Sequence, residues 1–260
     1  MKKQYSYSDI VLEPSYSEIR SRDEINTYVN FCNHDFRCAA LPSNMICTIN
    51  FDMARAMSED GYFYIMHRFE DYQKIYEWLE QNQSLRTISI SVGVKDKDKE
   101  LVKKIAENNL RVDFITIDVA SGHNILVKEM IRFIRKHLKR KVQIIAGNIG
   151  TPEASVDLAK WGADAVKVGL SMGKSCTTYN CTGVGTPMFS TVRDIANECP
   201  VPVIADGQVR EVGDICKALV AGATMVMVGS EFARCTDSPS KTIKRLEDPT
   251  AGIYTHHKEF

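Results

Sequence analysis

The sequence predicts an α/β fold, a (β/α)8 TIM barrel with an expanded loop after its sixth strand and a flap after its eighth. Three observations carry that prediction. Eight short apolar runs recur along the 260-residue chain, most of them followed by a stretch of helical period. The runs lack the polar alternation of a half-solvated sheet, as strands of a parallel sheet buried on both faces do. The length suits one barrel, which commonly takes about 250 residues. A doubly wound open sheet is the alternative, disfavoured because no glycine-rich dinucleotide turn follows the first run.

The strands begin near Cys38, Tyr62, Ile88, Phe114, Val142, Ala165, Val203 and Met225, at successive spacings of 24, 26, 26, 28, 23, 38 and 22 residues. Helices fall between them. Ile75, Trp78 and Leu79 mark one apolar face, Leu101, Val102, Ile105 and Ala106 another, and Val127, Met130, Ile131 and Ile134 a third. Thr151-Pro152 reads as an N-cap followed by proline at the first helical position. Asp214, Ile215 and Leu219 lie on a later helix. The spacing of 38 leaves room for an extra loop after the sixth strand. Residues 1–260 are read as a single barrel domain, with 1–36 an N-terminal extension and 236–260 a mobile flap. No strong helical stripe follows the eighth strand, where a barrel needs a helix, so the chain is expected to be incomplete at its C-terminus.

Lys and Arg (33) balance Asp and Glu (33), which leaves no electrostatic footprint for nucleic acid or an anionic membrane. No apolar run is long enough to span a bilayer, and the start lacks a secretory signal. The eight cysteines are scattered singly without a CxxC pair, as reduced thiols of a cytoplasmic protein would be.

In this fold the reacting groups stand at the C-terminal ends of the strands. Those ends carry Ser43 and Asn44, then His67, Asp118, Asn148, Gly169, Asp206 with Gly207, and Gly229 with Ser230. A carboxylate ending an apolar run is costly if buried without a partner. Asp118 or Asp206 alone reads equally well as a structural cap; polar groups at so many strand ends together point to a site. The expanded loop, from Gly169 to Pro187, sets glycines on both sides of Cys176. Glycines there let the backbone approach a ligand closely. Lys174 and several hydroxyls give the Cys176 thiol the positive charge and donors that a nucleophile needs. Cys181 stays undecided. Cys32, Cys38, Cys47, Cys199, Cys216 and Cys235 are read as buried inert thiols. His67 and His123 are read as hydrogen-bonded structure, Trp78 and Trp161 as helix packing, and Lys95 to Glu100 as a solvated helix start.

The loop also carries a resemblance. Cys176-Thr177-Thr178 followed by Thr182-Gly183-Val184-Gly185 and Pro187 resembles the catalytic loop of the IMP dehydrogenase / GMP reductase family. The likeness runs through most of the chain in family order: Tyr7 to Pro14, Asn44-Met45, Asp118 to Gly122, Ala146-Gly147-Asn148, Val166 to Gly169, Asp206-Gly207 and Val228-Gly229-Ser230. The reductase branch fits better, because no regulatory insertion follows His67 and DVASGH is similar to the reductase sequence.

The resemblance implies that Cys176 attacks C2 of the purine of GMP, expels ammonia and leaves a thioimidate, which hydride from NADPH converts to IMP. Thr178 would assist the attacking or leaving group. Asp206 would hold the ribose hydroxyls, and Gly207, Gly229 and Ser230 the phosphate, with Ser43, Asn148, Lys174 and Gln208 completing the substrate site. Asp118, Ser121 and Gly122 would lie beside the cofactor. The carbonyls of Gly169, Ser171 and Cys176 would correspond to a monovalent cation (potassium) site, and a homo-tetramer would be the assembly. Ile46, Ser171, Lys174 and Gln208 depart from the aspartate, glycine, serine and glycine usual in the family, so a rebuilt phosphate pocket and a modified or deoxy guanine nucleotide are alternatives. An oxidation like that of IMP dehydrogenase, and a catalytically idle purine-nucleotide-binding subunit, are the other readings.

Overall fold

A computed structural model describes residues 3–139, 142–170 and 183–240. The chain first forms a hairpin of β1 (Val29–Phe31) and β2 (His34–Phe36). Seven further strands form one parallel sheet: β3 (Ala40–Pro42), β4 (Ser89–Val92), β5 (Phe114–Asp118), β6 (Gln143–Ile149), β7 (Ala165–Val168), β8 (Val203–Asp206) and β9 (Met225–Val228). Their spatial order is β3-β9-β8-β7-β6-β5-β4. Helices α1 (Phe51–Glu59), α2 (Tyr72–Gln81), α3 (Asp96–Glu107), α4 (Ile125–Leu138), α5 (Pro152–Trp161), α6 (Met188–Glu198), α7 (Val212–Val220) and the short α8 (Ser230–Ala233) lie between or after the strands.

Alternate residues of each strand point to opposite faces of the curled sheet, and those of the inner face gather in one cluster. Leu41, Phe114, Ile145, Ala165, Ile204, Met225 and Met227 meet Phe63 and Ile65 in one inner cluster. Their sequence neighbours Ile115, Ile144, Val166, Val203 and Val226 join the larger core beneath the helices. Phe31 and Phe36 of the hairpin enter the inner cluster among residues at the strand starts, so the hairpin plugs the N-terminal end of the curled sheet. The N-terminal extension is also anchored further up the chain. Tyr5 exchanges hydrogen bonds with Ser190, and Lys217 Nζ donates to the Tyr7 carbonyl at 2.8 Å.

The expected second strand departs from the prediction. Residues 62–66 make one parallel bridge, Met66 to Ile90, rather than a ladder, so among the described residues the parallel sheet has seven strands where eight were expected. The Tyr64 hydroxyl supplies a physical reason. It donates to Thr87 O at 2.9 Å and accepts from Ser89 N, occupying backbone groups that a regular strand would pair. Phe63 still packs against Phe114, Phe36 and Phe31, with ring centroids 4.9, 4.9 and 5.2 Å apart. Asn148, expected just past its strand, lies within β6.

The helix signals read from sequence hold at α5, where Thr151 Oγ1 accepts from Ala154 N and Pro152 takes the first helical position. Of the expected flap, residues 236–240 are described, and Ser238 and Ser240 both donate to the Cys47 carbonyl. The rest of the flap, 241–260, and most of the expanded loop, 171–182, lie outside the described residues. Two further expectations are corrected. Asp98, inside the charged run, is buried: it accepts from Gly93 N, Lys95 N and the Tyr72 hydroxyl, which ties the loop after β4 to α2 and α3. Cys216 and Cys235 are exposed, and Cys32, Cys38, Cys47 and Cys199 are partly exposed, since all of them sit on loops, edges or helix surfaces rather than at core positions. Among the described residues no helix is long and apolar enough to cross a membrane.

Candidate functional site

Strand alternation brings three charges together at the C-terminal mouth. Lys167 lies two residues beyond inward-facing Ala165, Asp206 two beyond Ile204, and Asp118 four beyond Phe114, so all three share the inner face. The Lys167 ammonium, 2% exposed as a residue, stands 2.7 Å from Asp206 Oδ2 and 3.0 Å from Asp118 Oδ1. Burial by itself would strip its proton, but the two carboxylates overcome that and hold it firmly protonated. Burial likewise pushes Asp118 up, and Lys167, then a hydrogen bond with the Asn44 side chain, then Arg68 override it, keeping that carboxyl below the usual range. Arg68 Nε donates to the Asp118 carbonyl at 3.0 Å and lies 3.6 Å from its Oδ2.

Asn148 extends the network. Its Nδ2 donates to Asp206 Oδ2 at 2.9 Å and to the Gly169 carbonyl at 2.8 Å. Both partners are acceptors, which fixes the amide orientation. Asn148 Oδ1 is then a buried acceptor with no partner among the described residues, an atom that a ligand hydroxyl or N–H would satisfy. His67 is buried on the same inner alternation as Phe63 and Ile65, and its Nδ1 accepts from Phe69 N at 3.2 Å. Burial lowers its affinity for a second proton.

Close backbone approach explains the glycines of the mouth. A Cβ on Gly147 would stand 2.4 Å from the Lys167 carbonyl, and one on Gly122 3.0 Å from Gly147 C, so the loop after β5 lies against the end of β6. Gly122 N donates to the Asn148 carbonyl at 2.7 Å. Gly207 and Gln208, after β8, both take positive φ, +117° and +60°. On the far side, Ser43 N donates to the Val228 carbonyl, and a Cβ on Gly229 would meet Ser43 Oγ at 3.2 Å. Ser230 opens α8 and is exposed.

The structure therefore brings Asp118, Asn148, Gly169 and Asp206 into one network, sets Gly122 against it, and pairs Ser43 with Gly229 on the neighbouring strand ends β3 and β9. Ser121 is exposed, its carbonyl bound by Asn124. Cys176, Thr178, Lys174 and Ser171 lie outside the described residues. Sequence reasoning gave Lys167 and Arg68 no role. The signal for Lys167 was present: a lysine amid the apolar residues of a buried strand must find counter-charges. His123 meets Asp157 at 3.0 Å and stacks on Trp161 outside this network.

Among the described residues no cluster of His, Cys, Asp or Glu could hold a metal ion. The described part of the expected cation site is the single Gly169 carbonyl, which already accepts from Asn148. That oxygen by itself does not make a cation site. For a nicotinamide cofactor and a nucleotide the fit is better: the mouth offers two carboxylates and an unmatched buried acceptor, Asn148 Oδ1.

Comparisons with known proteins bear on this arrangement. A family model described as IMP dehydrogenase / GMP reductase domain matches residues 4–248. A GMP reductase of Bacillus subtilis is 44% identical over 247 residues, 94% of this chain and 76% of that protein. GMP reductases of Clostridium acetobutylicum and Mesoplasma florum are each 42% identical, over 94% and 92% of this chain and 75% of theirs.

Proposed function

The chain belongs to the IMP dehydrogenase / GMP reductase family, on its GMP reductase side, and from that premise we propose that it reductively deaminates a guanine nucleotide. GMP is the substrate and IMP the product. Overall, GMP, NADPH and two protons give IMP, NADP+ and ammonium: the C2–NH2 bond is broken and a C2–H bond is made. The cofactor, when bound, supplies the hydride.

The protein's residues supply the rest. The Cys176 thiolate bonds to C2, and the amino group leaves with a proton as ammonia, assisted by Thr178. The resulting thioimidate presents C2 as the electrophile, and the thiolate departs once C2 is reduced, which splits a difficult substitution into two easier steps. Asp206 accepts from the ribose hydroxyls, with Ser43 and Asn148 beside it. Gly207, Gln208, Gly229, Ser230 and Lys174 receive the phosphate. Asp118, Ser121 and Gly122 orient the cofactor.

The observation that carries this reading is the buried Asp118–Lys167–Asp206 group at the mouth of the parallel sheet. Two carboxylates placed there, both paired with Lys167, suit two polyhydroxylated ligands. The test follows cofactor absorbance with purified protein, NADPH and GMP, dGMP or GTP. Oxidation with a guanine nucleotide, abolished in Cys176→Ala, supports the proposal; no oxidation with any of the three overturns it.

A further inference from the structure

The buried ammonium at the mouth touches both carboxylates at once, and its position bears on how two ligands are held in register. Asp118 and Asp206 come from β5 and β8, which are not neighbours: β6 and β7 stand between them. Lys167 projects from β7 and reaches both, at 3.0 and 2.7 Å. The other polar groups here serve one side each. Arg68 backs Asp118, and Asn148 backs Asp206. Lys167 is thus the one side chain among the described residues that contacts both carboxylates.

We infer that Lys167 is a positioning residue that fixes the cofactor-side carboxylate of Asp118 relative to the ribose-side carboxylate of Asp206, so that occupancy of one site prepares the other. This rests on the assignment of those two sites above and adds to it a coupling between them. An ammonium is a compact charge on a flexible stem and is held in place by what it pairs with. Buried between two carboxylates, Lys167 has no solvent to compensate a lost partner. A ligand that shifts one carboxylate therefore shifts the ammonium and, through it, the other. Fixing two reactants in one geometry is worth large rate factors, and small misplacements lose them.

The test is calorimetry of the full chain with GMP, with NADP+, and with each in the presence of the other, a pair that cannot react. Wild type is expected to bind GMP about fivefold or more tightly once NADP+ is present, the lower end of ordinary coupling between sites. Lys167→Met abolishes that enhancement and weakens both ligands; Lys167→Arg, which keeps the charge, restores part of it. Should Lys167→Met fail to fold, cross-effects carry the test: Asp118→Asn alters GMP affinity, and Asp206→Asn alters NADP+ affinity. Absence of both cross-effects, or full coupling in Lys167→Arg and Lys167→Met, overturns the inference while leaving the function standing. Wild type that binds neither ligand overturns the functional assignment and this inference with it.

Discussion

A Cβ on Gly169 would stand 1.9 Å from the carbonyl oxygen of Asp206, far closer than a real Cβ comes to an unbonded heavy atom. Gly169 also sits at φ +151°, where side chains are rarely tolerated. The close approach is what lets β7 end directly against β8, with Asn148 bridging the Gly169 carbonyl to the Asp206 carboxylate. Gly169→Ala is therefore expected to lose about 1–3 kcal/mol from backbone strain alone, and to displace Asp206. Thermal unfolding and nucleotide titration measure the two effects. An alanine variant with unchanged melting temperature and unchanged affinity would contradict this packing.

Gln208 presents the opposite case, a side chain where glycine would be more comfortable. Its φ of +60° lies in the left-handed region, which costs a non-glycine residue about 1–2 kcal/mol. Glycine gives part of that back through the greater freedom of the unfolded chain. Gln208→Gly should stabilise by up to about 1 kcal/mol, or about 2–4 °C in a protein of this size. Gln208→Val should destabilise, because a β-branched residue fits that conformation worst. Paired melting curves decide it, and a lower Tm for the glycine variant would show that the amide side chain contributes more than its backbone costs.

These two positions show what the sequence carries and where it stops. Strand-end residues were legible because a parallel sheet puts every C-terminal end at one mouth, so Asp118, Asn148, Gly169 and Asp206 could be listed without coordinates. What joins them was not. Lys167 lies inside an apolar run, and nothing in the run itself says whether its ammonium meets one carboxylate, two or solvent; that depends on strand order. The missing ladder at residues 62–66 was likewise illegible, since the Tyr64 hydroxyl takes over backbone groups 23 and 25 residues away. The hairpin Val29–Phe36 escaped because its apolar residues, Phe31 and Phe36, face a plug rather than a strand ladder. Asp98 reads as solvated from the charged run alone because its buried partners lie on two separate segments, the loop after β4 and α2.

His67 gives a pH prediction. Its ordinary value near 6.5 is lowered in the folded chain by burial, with Glu70 opposing weakly. Protonation would also put a hydrogen on Nδ1, which accepts from Phe69 N. Between the folded and unfolded values the unfolded chain binds the extra proton and the native chain does not. Its contribution is therefore fully present above the unfolded value and is lost as pH falls from there toward the lowered folded value. Urea unfolding at a series of pH values from about 7.5 to 5 should show falling stability, and His67→Gln should flatten that slope. An identical slope in the variant would assign the acid sensitivity to other groups.

The closed end of the sheet supplies the last prediction, and it separates stability from function. Phe114 opens β5 on the inner face and is surrounded by rings, with centroids at 4.9 Å for Phe63 and His34, 5.9 Å for Phe31 and 6.2 Å for Phe36. All four phenylalanines are fully or almost fully buried. Removing one ring from such a cluster loses its transfer energy and leaves a cavity that the curled sheet cannot easily collapse, so Phe114→Ala should cost about 3–5 kcal/mol. Phe114→Leu refills part of the space and should cost less. Asp118 stands four residues further along the same strand, a full strand length from the plug. Guanine-nucleotide affinity at a temperature where each variant is folded should therefore stay close to wild type. The urea midpoint and the titration are measured on the same preparations. A Phe114→Ala variant that unfolds like wild type would mean that the hairpin rings are not packed into the sheet, and one that folds but loses the nucleotide would mean that the two ends of the interior are mechanically joined.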